Sequence, residues 1–212
     1  MILRVTRLLV DSDVFAKFGI AGLLEPLLEL LGAKPAECGR LPALPHMLRR
    51  GGLPALYGKD ACERLAAFAD RIDVIPAPST SWLARLAGVS QIDPGEAQLF
   101  SSAAEYGLVV VSGDKRSVIA MAQVEGFPAA LASKVVSMEA ALLALCEQLG
   151  PEQVRSAVSP LVAIQDKKEK TVGVCFSAGN LEPVAALQSY FEDLKQKVKP
   201  LVLWHPPVKG GA

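Results

Sequence analysis

Four acids in this sequence stand at places suited to metal-assisted chemistry. Asp11 and Asp13 close the β-rich run Ile2–Val10. Glu96 falls in the helix-opening stretch Ile92-Asp93-Pro94-Gly95-Glu96. Asp114 follows the apolar run Leu108–Val111 through Ser112-Gly113. In an open parallel α/β sheet, ligands bind beyond the carboxyl ends of the strands, where the strand order switches direction. If the two strands are neighbours, Asp11 and Asp114 converge. The helix opened by Asp93 runs antiparallel to the strand after it, so Glu96 lies at the same edge. Carboxylates gathered this way raise one another's pKa, and a divalent cation relieves the repulsion. All-oxygen ligation suits Mg²⁺ or Mn²⁺ better than Zn²⁺. Such a cation polarises a phosphate and lowers the pKa of an attacking water. Taken singly, each Asp reads as a helix cap and Glu96 as a first-turn dipole partner. Only their conjunction points to a site.

The elements that would position these acids follow from the pattern of the chain. Strand-like runs are expected at Ile2–Val10, Ile72–Ile75, Leu108–Val111 and Val135-Val136. Helices are expected at Val14–Phe18, Leu23–Leu31, Lys59–Arg71, Ser79–Leu86, from Asp93 to Tyr106, at Lys115–Val124 and at Met138–Leu149. Residues 33–58 are rich in Pro and Gly and read as short helices broken by turns, Leu44–Arg50 foremost. Strands alternating with helices through 1–150 indicate a mainly parallel sheet with helices on both faces, a three-layer α/β/α domain. Residues 151–212 form a C-terminal α/β extension packing on it. Helical patterns fall at Pro151–Ala157 and Glu182–Val198. Val172, Val174 and Phe176 alternate as in an edge strand over Thr171–Phe176.

Composition limits the function classes. The chain has 212 residues, 51% hydrophobic and 21% charged, which excludes wholesale disorder. Basic and acidic residues number 22 each. Binding driven mainly by phosphate neutralisation usually needs a basic chain, and this one is neutral. Residues 1–150 carry a net −2 and 151–212 a net +2, with lysines at 167, 168, 170, 195, 197 and 199 that read as solvated surface. Four cysteines do not make a disulfide framework. No apolar run reaches the roughly 18 residues of a membrane span. A soluble, reducing, cytoplasmic setting is therefore expected.

The acid-bearing segments also carry a family resemblance. Leu8-Leu9-Val10-Asp11-Ser12-Asp13-Val14-Phe15 resembles the opening of PIN domains, the metal-dependent ribonuclease fold of many bacterial toxins. Asp93-Pro94-Gly95-Glu96-Ala97, then Ala103-Ala104-Glu105-Tyr106-Gly107 and Leu108–Val111 with Ser112-Gly113-Asp114, is similar to the second half of that fold. The resemblance covers roughly residues 1–140. It implies catalytic and metal-binding roles for Asp11, Glu96 and Asp114, with Asp13 beside them and Ser112 in a small-hydroxyl position at the substrate. The family's remaining acid has no clear match; Glu37 in Pro35-Ala36-Glu37-Cys38 is the best candidate and Glu63 the next. The implied activity is Mg²⁺- or Mn²⁺-dependent hydrolysis of RNA. The implied partners are RNA, a protein inhibitor such as an antitoxin, and a second copy of the chain, with no membrane. The same fold without catalysis, as a binding module, is the alternative.

Val10-Asp11-Ser12-Asp13-Val14 also resembles the start of haloacid-dehalogenase-like phosphatases, which would make Asp11 a nucleophile and Asp13 an acid/base. Against that, Phe15 stands where Thr is usual, and no second Asp follows Asp114 in the next helix. Cys38, His46 and Cys62 lack the fourth ligand and the spacing of a zinc site. Lys115-Arg116 adjoins the acidic edge and is placed to contact a phosphate backbone. The nuclease reading requires the acids to share one pocket and not be walled off by arginine and lysine.

Overall fold

The computed structural model describes residues 7–164 and 170–206. Residues 2–6 of the expected first strand, the lysines at 167 and 168, and residues 207–212 lie outside them. The first strand, β1, is Leu8–Val10, and α1 (Ser12–Ile20) and α2 (Leu24–Leu30) follow it. A single 3₁₀ turn at Pro35–Glu37 leads into β2 (Cys38–Arg40). Three helices come next, α3 (Leu44–Arg50), α4 (Leu53–Tyr57) and α5 (Lys59–Ala69), then β3 (Asp73–Val74) and α6 (Thr80–Leu86). The second half runs α7 (Pro94–Tyr106), β4 (Val109–Ser112), α8 (Lys115–Met121), α9 (Phe127–Ala130), β5 (Val135–Ser137) and α10 (Met138–Leu149). The chain ends with α11 (Pro151–Ala163), α12 (Lys170–Cys175) and α13 (Pro183–Lys197).

The five strands are all parallel, in the order β3-β2-β1-β4-β5, within a three-layer α/β/α fold. From β1 the chain builds outward through β2 and β3, then returns to place β4 on the other side of β1. The switch in direction therefore lies between β1 and β4. Leu9 stands opposite Val110 and Val10 opposite Val111, so β4 runs one residue past the end of β1. Both are buried because helices cover both faces of a parallel sheet. Phe15, Phe100 and Phe127, from α1, α7 and α9, are fully buried in the same core.

Local chemistry sets α7 firmly. Asp93 accepts the Glu96 backbone N–H at 2.8 Å, and the Glu96 carboxylate accepts the Asp93 backbone N–H at 2.8 Å. This reciprocal capping box satisfies two of the donors that a helix start leaves open. Pro94 adds a preset φ at the first helical position. Gly107 ends the helix with φ +68°, a left-handed conformation that an L side chain resists.

Two expectations from the sequence need correction. Within 33–58, where only broken helices were expected, Cys38–Arg40 forms a strand that pairs with both β1 and β3. Three residues centred on Gly39 are too few to show a period. Of Thr171–Phe176, expected as an edge strand, the residues through Cys175 are helical and Phe176 begins a turn. Thr171, Val172, Cys175 and Phe176 are buried, while Val174 is 50% exposed. That is the i, i+1, i+4, i+5 face of a helix, and the alternating valines were a coincidence within it. The edge is covered instead by residues 201–204. The Ser133 N–H donates to the Val202 carbonyl at 2.7 Å, and the Trp204 N–H donates to the Val135 carbonyl at 2.9 Å.

The C-terminal helices join the same core. Leu187, Phe191 and Leu194 of α13 are buried, and α13 packs on α10 and α8. Among the described residues, no helix is long and apolar enough to cross a membrane.

Candidate functional site

Three segments distant in sequence meet at the carboxyl edge of the sheet. Asp11 ends β1, and its backbone N–H donates to the Val111 carbonyl of β4 at 3.0 Å. Asp114 follows β4 and caps α8, its Oδ1 accepting the backbone N–H groups of Arg116 (2.8 Å) and Ser117 (3.4 Å). Glu96 sits in the first turn of α7. An open cavity of about 340 Å³ lies here, lined by Asp93, Glu96, Asp114 and Arg116 with the loop Ser90-Gln91-Ile92 on its rim.

The electrostatics report the same convergence. Burial pushes the Asp11 carboxyl up to about 7, with repulsion from Asp13, Glu96 and Asp93 adding to it and a hydrogen bond from the Ser12 backbone opposing. Burial also raises Glu96, and the charges of Asp93 and Asp114 add to that against the hydrogen bonds Glu96 receives. Asp114 behaves differently. Burial pulls it upward, but hydrogen bonds from the Arg116 side chain and backbone, with the guanidinium charge, outweigh that and hold it below its ordinary value.

Two of the acids are engaged by cations of the chain itself. Lys17 donates to Asp13 Oδ2 at 2.6 Å, and the lysine is 12% exposed. Arg116 Nη2 reaches Asp114 Oδ2 at 2.9 Å, and its Nε reaches Oδ1 at 3.3 Å. Asp11, Glu96 and Asp93 form no ion pair among those of the described residues.

The structure brings together Asp11, Asp13, Glu96 and Asp114, but leaves Glu37 apart. Glu37 precedes β2, which runs parallel to β1, so it lies at the opposite, amino edge of the sheet. There its carboxylate accepts the Lys34 N–H at 2.9 Å and faces Arg7 at 3.5 Å. Glu63 pairs with Arg49 at 3.2 Å on the surface of α5. Ser112 ends β4, buried, with no hydrogen-bond partner for its hydroxyl. Lys115 turns away from the cavity. Its Nζ lies 2.7 Å from Glu139 Oε1 and 4.6 Å from the centre of the Tyr190 ring.

Sequence reasoning gave Asp93 only a capping role. Its charge bears on both Asp11 and Glu96, and it lines the cavity. The signal was its place three residues before Glu96, since a capping box puts both side chains at one helix end. The rim residues Ser90 and Gln91 carried no signal in the sequence.

The chemistry of the donor set fits a hard divalent cation. The acids are all oxygen donors, Asp11 and Glu96 are raised by the charges of neighbouring acids as well as by burial, and the buried hydroxyls of Ser12 and Ser112 lack partners. Geometry adds a condition. Among the described residues no three such side chains already stand as a ligand set, and Arg116 holds both oxygens of Asp114. A cation ligated by Asp114 therefore requires Arg116 to move. Comparison with known proteins finds no matching family model, no similar curated protein and no similar solved structure.

Proposed function

We propose that the chain is a Mg²⁺- or Mn²⁺-dependent ribonuclease of the PIN-like type, working in the cytoplasm. The observation that carries this reading is that Glu96 and Asp114 line one cavity, with Asp11, whose carboxyl feels the charge of Glu96, at the same carboxyl edge of the sheet. These three carboxylates would hold the cation, with Asp13 beside them. When bound, such a cation supplies Lewis-acid activation of the phosphate and lowers the pKa of a water.

The chain's own residues do the rest. Asp11 must lose its proton to serve as a ligand, which its raised pKa makes dependent on neutral or higher pH. The capping box fixes Glu96 on a rigid helix end, so its carboxylate needs little ordering. RNA as substrate, an inhibitor protein and self-association all rest on the resemblance. The phosphatase reading fares less well on sequence grounds, because Phe15 stands where Thr is usual and α8 brings no second Asp after Asp114.

A second reading keeps the fold and drops the chemistry, leaving a binding module. The cation contacts on Asp13 and Asp114 and the separation of Glu37 favour it. Calorimetric titration with Mn²⁺, alongside cleavage of a single-stranded RNA, decides between the two. The nuclease reading expects Mn²⁺ binding and Mn²⁺-dependent cleavage, both lost in Asp11→Asn. Absence of Mn²⁺ binding in the wild-type chain at pH 8 would leave the binding module.

A further inference from the structure

We propose that Arg116 exchanges partners: it holds Asp114 while no cation is present, and turns to a phosphate of the RNA when a cation takes Asp114. Cation and RNA would then bind cooperatively through one side chain. This inference rests on the cation site proposed above and adds a coupling that the site alone does not imply.

The two oxygens of Asp114 are held differently. Oδ1 accepts the backbone N–H groups of Arg116 and Ser117, which start α8, as well as Arg116 Nε. Oδ2 accepts Arg116 Nη2 at 2.9 Å. If the guanidinium leaves, Oδ1 still caps the helix and Oδ2 is opened toward the cavity. The cap and the ligand role therefore do not compete, and α8 need not move.

Arg116 is suited to leave. Its side chain is 82% exposed, and an exposed ion pair contributes little to stability, so breaking it costs little. Its backbone stays fixed by the bond to Oδ1. Its side chain already lines the cavity that holds Glu96 and Asp93. The neighbouring Lys115 cannot take this part, because Glu139, a buried acid, and the Tyr190 ring hold it. Lys17 on Asp13 is also unsuited, being largely buried. Arg116 alone of these three has a charge-bearing group free to sweep the cavity.

The chemistry at the end of that sweep is a phosphodiester oxyanion. A guanidinium presents paired N–H donors that match two phosphate oxygens. Once a cation has neutralised Asp114, its attraction for the guanidinium falls and the phosphate becomes the better partner. By linkage, RNA then tightens the cation as much as the cation tightens RNA.

The test is a Mn²⁺ titration at pH 8 of wild type, Arg116→Ala and Arg116→Lys, each with and without a single-stranded 2′-O-methyl RNA oligonucleotide. Without RNA, Arg116→Ala should bind Mn²⁺ about two- to five-fold tighter than wild type, the scale of an exposed ion pair. Arg116→Lys should also bind more tightly, because a lysine keeps the charge but cannot fork both oxygens. The oligonucleotide should tighten Mn²⁺ binding in wild type and not in Arg116→Ala. Equal or weaker Mn²⁺ binding by Arg116→Ala overturns the exchange and leaves the cation site intact. So does Arg116→Lys matching wild type, which would reduce the effect to net charge, or an oligonucleotide effect unchanged in Arg116→Ala. If neither wild type nor Arg116→Ala binds Mn²⁺, the cation site itself fails and the exchange with it.

Discussion

The Asp11 backbone N–H donates to the Val111 carbonyl at 3.0 Å, which ties the acid ending β1 to the strand that leads into Asp114. Backbone pairing, rather than a choice of side-chain rotamer, thus sets the approach of these two acids. The sheet cannot form in this register without bringing them to one edge. The burial that raises Asp11, and the charges of Asp13, Glu96 and Asp93 that add to it, are consequences of the fold itself, and removing the carboxylate should be visible in stability as well as in activity.

That gives a prediction with a definite sign. The Asp11 carboxyl is raised from 3.8 to about 7 in the folded protein. Between those values the folded state binds a proton that the unfolded chain has lost, so stability falls as pH rises from about 4 to about 7 and is level above that. Asp11→Asn removes this slope. In metal-free buffer the variant should be more stable than wild type at pH 8, by at most about 4 kcal/mol, and nearly equal to it at pH 4. Urea denaturation at the two pH values measures this. A variant less stable at pH 8 would mean that favourable bonds to Asp11 outweigh its burial and the charges of its neighbours.

Glu96 caps α7, and substitution can separate that role from the ligand role proposed for it. Gln retains the acceptor needed by a capping box, whereas Ala does not. Glu96→Gln should keep the stability of wild type within about 0.5 kcal/mol, while Glu96→Ala loses about 1 kcal/mol. Both should lose Mn²⁺ affinity, since neither has the charge. If Glu96→Gln bound Mn²⁺ as wild type does, the carboxylate would be a cap and nothing more.

The legible parts of this fold were those with a long period or a firm stop. Asp93-Pro94 and Gly107 bracket α7 because capping and left-handed termination are local chemistry. The apolar run Leu108–Val111 announced a buried parallel strand for the same reason. β2 was illegible because it is three residues long and owes its pairing to β1 and β3, not to its own composition. α12 misled because six residues can satisfy a period of two and a helical face at once, and only burial against α11 and α13 distinguishes them. At the site, the acids could be read from strand ends, but their counter-ions could not. Arg116 and Lys17 are two and four residues from the acids they meet, spacings that also fit ordinary surface residues.

Residues 201–204 protect the outer edge of β5, and that role has a test. Leu201 and Leu203 are buried while Val202 is exposed, the alternation of a segment laid against a sheet edge. Ending the chain after Lys199 would uncover that edge and remove two buried leucines, each contributing about 2 kcal/mol. An open edge is a template for pairing with another chain. The truncated protein should melt at a lower temperature and associate more strongly in light scattering than the full chain. Unchanged melting and association would mean that the segment merely rests on the surface.

Lys115 and Glu139 form an unequal pair, and the inequality sets the last prediction. Glu139 is 1% exposed, with Thr171 also donating to its Oε1 at 3.0 Å and no partner for Oε2. Lys115 keeps about a third of its side chain in solvent. Removing the lysine strands a charge in the interior, whereas neutralising the acid leaves a lysine that can still turn to water. Lys115→Met should therefore cost about 3 kcal/mol at pH 7. Glu139→Gln should cost about 1 kcal/mol. Chemical denaturation of the two variants measures the difference. Equal losses would mean that the pair is shared evenly with solvent. A Lys115→Met variant that kept wild-type stability but bound RNA more weakly would return Lys115 to the substrate side of the site.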